Sequence, residues 1–276
     1  MTIREVLGRT TEYLGRKGVG DARLDAELIV ANALGLTRLE LYLDHDRALT
    51  EAELASAREL VERRGRREPL AYVLGEWGFR RLTLRCDARA LVPRPETEVV
   101  VERCLALLEG LDAPAVLDVG TGTGAIALAI ADEHPGARVT AVDRSPDALA
   151  LARENAEATG LGVDLLLGDV TDGLPGGPYD LVVSNPPYVH AGELDGLAPE
   201  VREWEPRAAI LDEGQTAEVS RAARGVLRPG GWLVLETHSE GAADVARATV
   251  DAGYEAARVT KDLTGRERVV EARWAG

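Results

Sequence analysis

The stretch Ser184-Asn185-Pro186-Pro187-Tyr188 closes the apolar run "YDLVV" with an amide, two prolines and an aromatic ring. Proline cannot donate to a sheet ladder, so a strand must stop here. Pro186 pushes Asn185 toward extended backbone, and the two rings make a stiff corner. That corner presents the Asn185 amide, the Pro186 main-chain carbonyl and the Tyr188 ring, a small polar clamp. A second concentration of chemistry lies upstream in "LDVGTGTGA", where Gly120, Thr121, Gly122, Thr123 and Gly124 form a turn between a strand and a helix. Alternating glycines there permit positive φ and let a ligand approach the backbone. The spacing is GxGxG, not the GxGxxG of dinucleotide sites, which argues against a nicotinamide cofactor. Asp143 ends "TAVD", where an acid reaches ribose hydroxyls; the competing task of capping the next helix falls to Ser145 before "PDAL". Asp169 in "LLGDV" fits two roles about equally: an acceptor for an adenine amino group, with Val170 covering the ring, or a turn cap. Together these strand ends converge on one adenosine-sized ligand at the carboxyl edge of a sheet.

The elements that must position these residues are legible in hydrophobic rhythm. From Ala115 onward, "AVLDV", "ARVTAVD", "VDLLLGD", "YDLVVS" and "GWLVLET" read as strands, with helices such as "TGAIALAIADEH", "SPDALALARENAEATG" and "GQTAEVSRAARGVL" between them. A further helix and a closing strand pair complete the chain. Strands separated by helices imply parallel βαβ units and a doubly wound α/β sheet. Residues 1–76 differ: apolar positions recur every three or four residues, and Thr50 with Glu53 forms a capping box, so four or five helices are expected in a small all-helical unit. Alternation in "RLTLRC" suggests a hairpin linker over 77–95, leaving 96–276 as the α/β domain.

Composition narrows the function classes. The chain has 276 residues, 45% hydrophobic and 29% charged, with net charge −15. Residues 1–78 carry 12 Lys+Arg against 14 Asp+Glu, and the remainder 20 against 33, so the acidity is concentrated in the α/β part. The basic cluster Arg63, Arg64, Arg66 and Arg67 lies in the near-neutral part, which hints at two units with different partners. A grip on nucleic-acid backbone calls for a basic surface, and the whole chain argues the other way. No apolar run is long enough to span a membrane, and the start "MTIREVLGRT" lacks a secretory pattern, so cytoplasmic residence is expected. Cys86 and Cys104 match neither a metal spacing nor a disulfide framework; reduced structural thiols and no metal are expected.

The order of glycine loop, acid after the second strand, Asp after the third and NPPY after the fourth resembles the class I S-adenosylmethionine-dependent methyltransferases. Within them, NPPY marks enzymes that methylate a planar NH2 group. Such a nitrogen is a poor nucleophile because its lone pair is delocalised. Two acceptors aimed at its hydrogens, the Asn185 side-chain carbonyl and the Pro186 carbonyl, would orient it and favour positive charge building there. Tyr188 can stack on the planar group. Adenine N6 and a glutamine side chain fit this clamp equally.

The fuller context "LVPRPETE … LDVGTGTGAIALAIA … AVDRSPDALALARENA … VVSNPPYV … EVREWEPRAAI … KDLTGRERVV" is similar to the release factor glutamine methyltransferases over nearly the whole chain. That resemblance implies a Rossmann-like seven-stranded methyltransferase sheet and methyl transfer from S-adenosylmethionine to the glutamine of the GGQ loop in peptide chain release factors one and two. It implies a monomer with an amino-terminal helical domain that contacts the release factor. By position, Gly120 to Gly124, Asp143, Asp169, Val170 and Asn185 would hold the cofactor, and Asn185, Pro186, Pro187 and Tyr188 the substrate glutamine. Val170 stands where some members carry an aromatic. The charged stretches holding Arg94, Glu96 and Glu98, and Glu200, Arg202, Glu205 and Arg207, frame the site as ion pairs or helpers, and the 189–209 loop is expected to order around substrate. An adenine-N6 or guanine-N2 methyltransferase acting on DNA or RNA is the alternative; it needs a basic groove for a flipped base, and none is visible. A binding module that keeps the fold without activity is a third reading, opposed by the intact glycine loop and clamp.

Overall fold

A computed structural model describes residues 1–276, which divide into two compact units: Met1–Glu76 with Leu197–Trp204, and Trp77–Gly196 with Glu205–Gly276. The amino-terminal part of the first unit contains five helices, α1 (Ile3–Arg16), α2 (Ala22–Leu34), α3 (Arg38–Leu43), α4 (Glu51–Gly65) and α5 (Leu70–Leu74). Capping boxes start three of them: Thr2 with Glu5, Thr37 with Glu40, and Thr50 with Glu53. Each exchanges hydrogen bonds between a threonine hydroxyl, a glutamate and two otherwise orphaned N–H groups. Ile3, Val6, Val30, Leu41 and Leu49 fill one core cluster, and Leu14, Val19, Ala26, Ile29 and Val73 another.

A salt-bridged network ties the distant segment Leu197–Trp204 into this unit. The buried Arg64 donates to Asp25 at 2.6 Å and to Glu200 at 2.9 Å, while Arg67 holds Glu200 with two bonds of 2.7 Å. Burial raises the Asp25 carboxyl above the ordinary range, with Arg64 opposing. Breaking a buried pair leaves an uncompensated charge, so such networks fix geometry more than they add stability.

The second unit opens with β1 (Glu76–Phe79) and β2 (Leu82–Arg85), paired as a two-stranded sheet, followed by α6 (Thr97–Leu108). Then come β3 (Ala115–Val119), α7 (Ala125–Glu133), β4 (Arg138–Asp143), α8 (Pro146–Thr159), β5 (Val163–Leu167) and β6 (Tyr179–Ser184). The stretch 189–209, expected as a loop, contains 3-10 turns at Ala191–Gly196 and Arg207–Ala209 and the short helix α9 (Pro199–Trp204), which belongs to the first unit. The chain ends with α10 (Gln215–Ala223), β7 (Leu227–Glu236), α11 (Ala242–Asp251), β8 (Ala257–Lys261) and β9 (Glu267–Arg273).

The seven strands order as β5-β4-β3-β6-β7-β9-β8, with β9 antiparallel to both neighbours and the others parallel. Central strands such as "AVLDV" and "YDLVVS" read as continuous apolar runs because helices cover both faces. The chain winds outward from β3 to β5 and then returns to place β6 on the other side of β3. That reversal is the switch point where open α/β sheets bind ligands. No helix is long and apolar enough to cross a membrane, and both cysteines are buried and unpaired.

Asn155 of α8, 1% exposed, stitches three pieces of the second unit together. Its Oδ1 accepts from Arg85 N at 2.7 Å, and its Nδ2 donates to Arg85 O at 3.2 Å and Thr123 O at 2.9 Å. Replacing it by Ala leaves a buried N–H and two carbonyls without that partner. Asn155→Ala should therefore cost about 3 kcal/mol of stability, read as a lower urea midpoint with unchanged slope.

Candidate active site

The carboxyl ends of β3, β4 and β6 and the turns after them line one cavity. Val119 and Ser184 are register partners on β3 and β6, and Ser184 Oγ donates to Val119 O at 2.7 Å. The glycine turn and the proline corner therefore leave the sheet from adjacent strands. The turn is tethered across to β4, with Gly120 and Thr121 N–H groups both donating to Val142 O at 2.8 and 3.1 Å.

Within the turn, Gly122 has φ of +57°, and a Cβ built there meets only Ala90 Cβ at 3.8 Å, so the space it leaves open is cavity. Gly124 has φ of +84°, but its missing Cβ would press on Leu128 at 3.1 Å and Ala152 at 3.4 Å. Gly120, Thr121, Gly122 and Thr123 line the cavity; Gly124 does not, and it serves the close packing of α7 against α8. Asp143 does two things at once. Its Oδ2 accepts from Gly122 N and its Oδ1 from Ser145 N, each at 2.9 Å, while Ser145 caps α8 through Ala148 N. The carboxylate thus fixes the turn and faces the cavity. Asp169 and Val170 also line it. The Asp169 Oδ1 accepts from the Thr171 N–H and hydroxyl at 2.9 Å, which holds its carboxyl below the usual range and makes it the turn cap that was one of its two expected roles. Its Oδ2 lies 3.9 Å from Arg144.

Asn185, Pro186 and Pro187 line the same cavity. Asn185 Nδ2 donates to Thr97 Oγ1 at 3.4 Å, which engages one of its two N–H groups and turns the carbonyl oxygen away from Thr97. Tyr188 lies outside the lining. Its ring packs against His238 with centroids 5.8 Å apart, and burial pushes its phenol up to about 12. In this arrangement the ring also braces the corner against the residue that follows β7 by two positions.

Several residues were not singled out by sequence reasoning. Ala90 to Pro93, after the hairpin, form one wall of the cavity, continued by Arg94. They are held by the buried Glu205, whose Oε1 accepts from Val92 N at 3.2 Å and whose Oε2 accepts from Arg94 at 2.5 Å. Of the charged stretches framing the motif, this pair alone reaches the site; Glu200 anchors in the first unit, and Arg202 and Arg207 are exposed. Asp118 on β3 is 1% exposed, accepts from Thr121 Oγ1 at 2.7 Å and leaves Oδ1 without a partner. Burial first, then the nearby Asp143 charge, pushes its carboxyl up to about 7. The signal was present: an acid inside the apolar "AVLDV" is costly unless it has work to do. No group of His, Cys, Asp and Glu is arranged to hold a metal.

Residues 5–75 match the model of the PrmC N-terminal domain, and residues 102–200 that of the methyltransferase small domain. Among solved structures, the Thermus thermophilus 16S rRNA N2 G1207 methyltransferase, in complex with AdoMet and guanosine, shares the fold at 20% identity. Its TM-score is 0.53, covering 72% of this chain and 49% of that one. Sheet order, glycine turn and strand-end corner define a methyltransferase of the Rossmann-like class. A release factor glutamine methyltransferase of Geobacter sulfurreducens is 44% identical over 99% of this chain and 96% of its own. One of Deinococcus radiodurans is 44% identical over the full length of both. The chain belongs to the release factor glutamine methyltransferase family.

The open space at Gly122 gives the first site-specific expectation. Gly122→Val strains the turn and fills the cavity, and should weaken binding of a methyl-donor cofactor held against the turn by at least about a hundredfold. Calorimetry on the folded variant reads this directly.

Proposed function

We propose that this protein methylates the side-chain amide nitrogen, N5, of the glutamine in the GGQ motif of peptide chain release factors, with S-adenosylmethionine as the methyl donor. The observation that carries the reading is the Asn185–Pro186 corner beside the glycine turn, in a chain whose whole length matches this family. The cofactor side fits on the structure's own terms. An open cradle at Gly122, an acid at Asp143 braced by two backbone N–H groups, and Val170 at the third strand end suit an adenosine with its ribose hydroxyls.

S-adenosylmethionine supplies a methyl group made electrophilic by a positively charged sulfur. The protein's task is to hold the acceptor nitrogen. Asn185 Oδ1 and the Pro186 carbonyl accept the two hydrogens of the glutamine NH2, which turns the nitrogen lone pair toward the methyl. As the N–CH3 bond forms, positive charge grows on nitrogen and both acceptors tighten. The sulfur keeps the electron pair of the broken S–CH3 bond, and the nitrogen loses one proton afterwards. No strong base is needed, which agrees with an amide at this position.

Recognition of a protein partner is assigned to the helical unit. Leu39 and Leu43 on α3 are 68% and 71% exposed, and Leu24 and Tyr42 are also open to solvent, an apolar surface suited to a protein partner. The acidic charge of the α/β part disfavours the nucleic-acid alternative.

Two measurements test this. Labelled cofactor offered separately with release factor, DNA and RNA should label release factor alone; label on nucleic acid only would overturn the reading. Asn185→Ala should slow single-turnover transfer by about a hundredfold to a thousandfold, the cost of a positioned acceptor, with cofactor affinity changed far less. Transfer within threefold of the parent would reduce Asn185 to a turn residue.

A further inference from the structure

β7 ends in a carboxylate that the reaction as described does not use. Glu236 is 2% exposed, and its Oε2 has no hydrogen-bond partner. Ser184 and Leu235 are register partners on the parallel β6 and β7, so Asn185 and Glu236 are the next residues along both strands. Thr97, the first residue of α6, joins them. Its hydroxyl neighbours the Glu236 carboxylate and favours the ionised form, and its Oγ1 accepts from Asn185 Nδ2 at 3.4 Å. Thr97 and Asn185 line the cavity, whereas Glu236 stands behind them.

A hydroxyl has one proton, and a carboxylate can only accept. With Glu236 ionised, the Thr97 proton is committed to it, and Thr97 can meet Asn185 only as an acceptor. The Asn185 amide must then turn its nitrogen to Thr97 and its oxygen to the cavity. Reversed, the amide would set an NH2 against a substrate NH2, donor facing donor. We propose that Glu236, acting through Thr97, is a positioning residue that fixes the orientation of the Asn185 amide and so restricts the clamp to acceptors that donate hydrogens. The inference rests on the function proposed above.

The surroundings favour the arrangement. Arg94 and Glu96 from the segment before α6, Tyr188 from the proline corner and Arg268 from β9 are the charged and titratable groups around Glu236. Arg94 and Arg268 favour its ionised form, and Arg268 is itself held by Asp262 at 3.0 Å and lies 3.9 Å from Glu96. Burial works the other way and pushes the carboxyl up to about 7. A protonated Glu236 donates to Thr97 and frees the Thr97 proton for Asn185 Oδ1, which reverses the amide. Glu236→Gln, able to donate in the same place, imitates that state.

The test uses the full-length protein with release factor and labelled cofactor. Glu236→Gln and Thr97→Val should each slow single-turnover transfer by about tenfold to a hundredfold, with KM for release factor and cofactor affinity within about threefold of the parent. Thr97→Ser, which keeps the hydroxyl, should stay within about threefold, and the double variant should be no slower than the slower single, since both cut one relay. The second readout needs no turnover. The Asn185 side-chain NH2 resonances, identified by their loss in Asn185→Ala, should exchange faster with solvent in Thr97→Val and shift in Glu236→Gln. Parent-like transfer with unaltered Asn185 resonances in both variants overturns the proposal, as does a Thr97→Ser as slow as Thr97→Val. If the parent labels no release factor while the resonances respond as expected, the functional reading fails and the relay stands. Should Glu236→Gln not fold, Thr97→Val and Thr97→Ser decide the matter.

Discussion

The register between β3 and β6 is the constraint on which the rest depends. Val119 faces Ser184, and the serine hydroxyl bonds back to the Val119 carbonyl, so both strands stop at the same level. Adjacent strands lie about 4.8 Å apart. The glycine turn and the proline corner, the two places the proposed function gives to the reactants, therefore begin one strand spacing apart. A slip of one residue would turn every side chain of a strand to the other face of the sheet. The apolar residues covered on both faces, Val116 and Leu117 on β3 and Leu181, Val182 and Val183 on β6, all at 0% exposure, make that slip costly. Core packing here sets the distance between the turn and the corner.

How much of this was legible follows from how local each signal is. "AVLDV", "ARVTAVD" and "YDLVVS" are strands within a residue of their expected bounds, because continuous β-rich runs bounded by glycine or proline leave little choice. The three-glycine turn was equally plain as a turn. What the sequence could not separate was which glycine leaves room for a ligand and which leaves room for a helix. Gly122 and Gly124 both carry a positive φ, and the neighbours Ala90, Leu128 and Ala152 distinguish them. Tyr188 poses a related question: a side chain next to a strand-end corner can face the cavity or brace the corner, and the sequence does not reveal its contact with His238, 50 positions on.

Long-range ion pairing was the least readable part. Glu200 and Glu205 lie in one charged stretch, yet one joins Arg64 and Arg67 of the helical unit and the other Arg94 beside the cavity. Nothing in their spacing assigns these partners, since a salt bridge leaves no periodic trace. The stretch read as a surface loop is instead divided between the two units at Trp204 and Glu205. Buried acids give a fainter but usable mark. Asp118 and Glu236 sit in apolar runs, Glu205 next to a tryptophan and a proline in a charged one, and each has its carboxyl raised by burial. A chain keeps such groups where they fix something that packing cannot, here the glycine turn, the cavity wall and the strand end behind the clamp.

This throws light on why the clamp itself is an amide when so many carboxylates surround it. In the proposed reaction the donor carries its positive charge before transfer, and the nitrogen acquires it only during transfer. A carboxylate at position 185 would attract the charged sulfur already in the ground state, and interactions equal in ground and transition states do not raise the turnover rate. A neutral carbonyl oxygen interacts weakly with the distant charge at first and strongly with the N–H groups as they become acidic. The cost of neutrality is ambiguity, because an amide can present either end. A carboxylate at the same level on the neighbouring strand, and separated by a hydroxyl, removes the ambiguity without bringing its charge into the cavity. The acid behind the clamp and the amide within it are then two halves of one electrostatic solution.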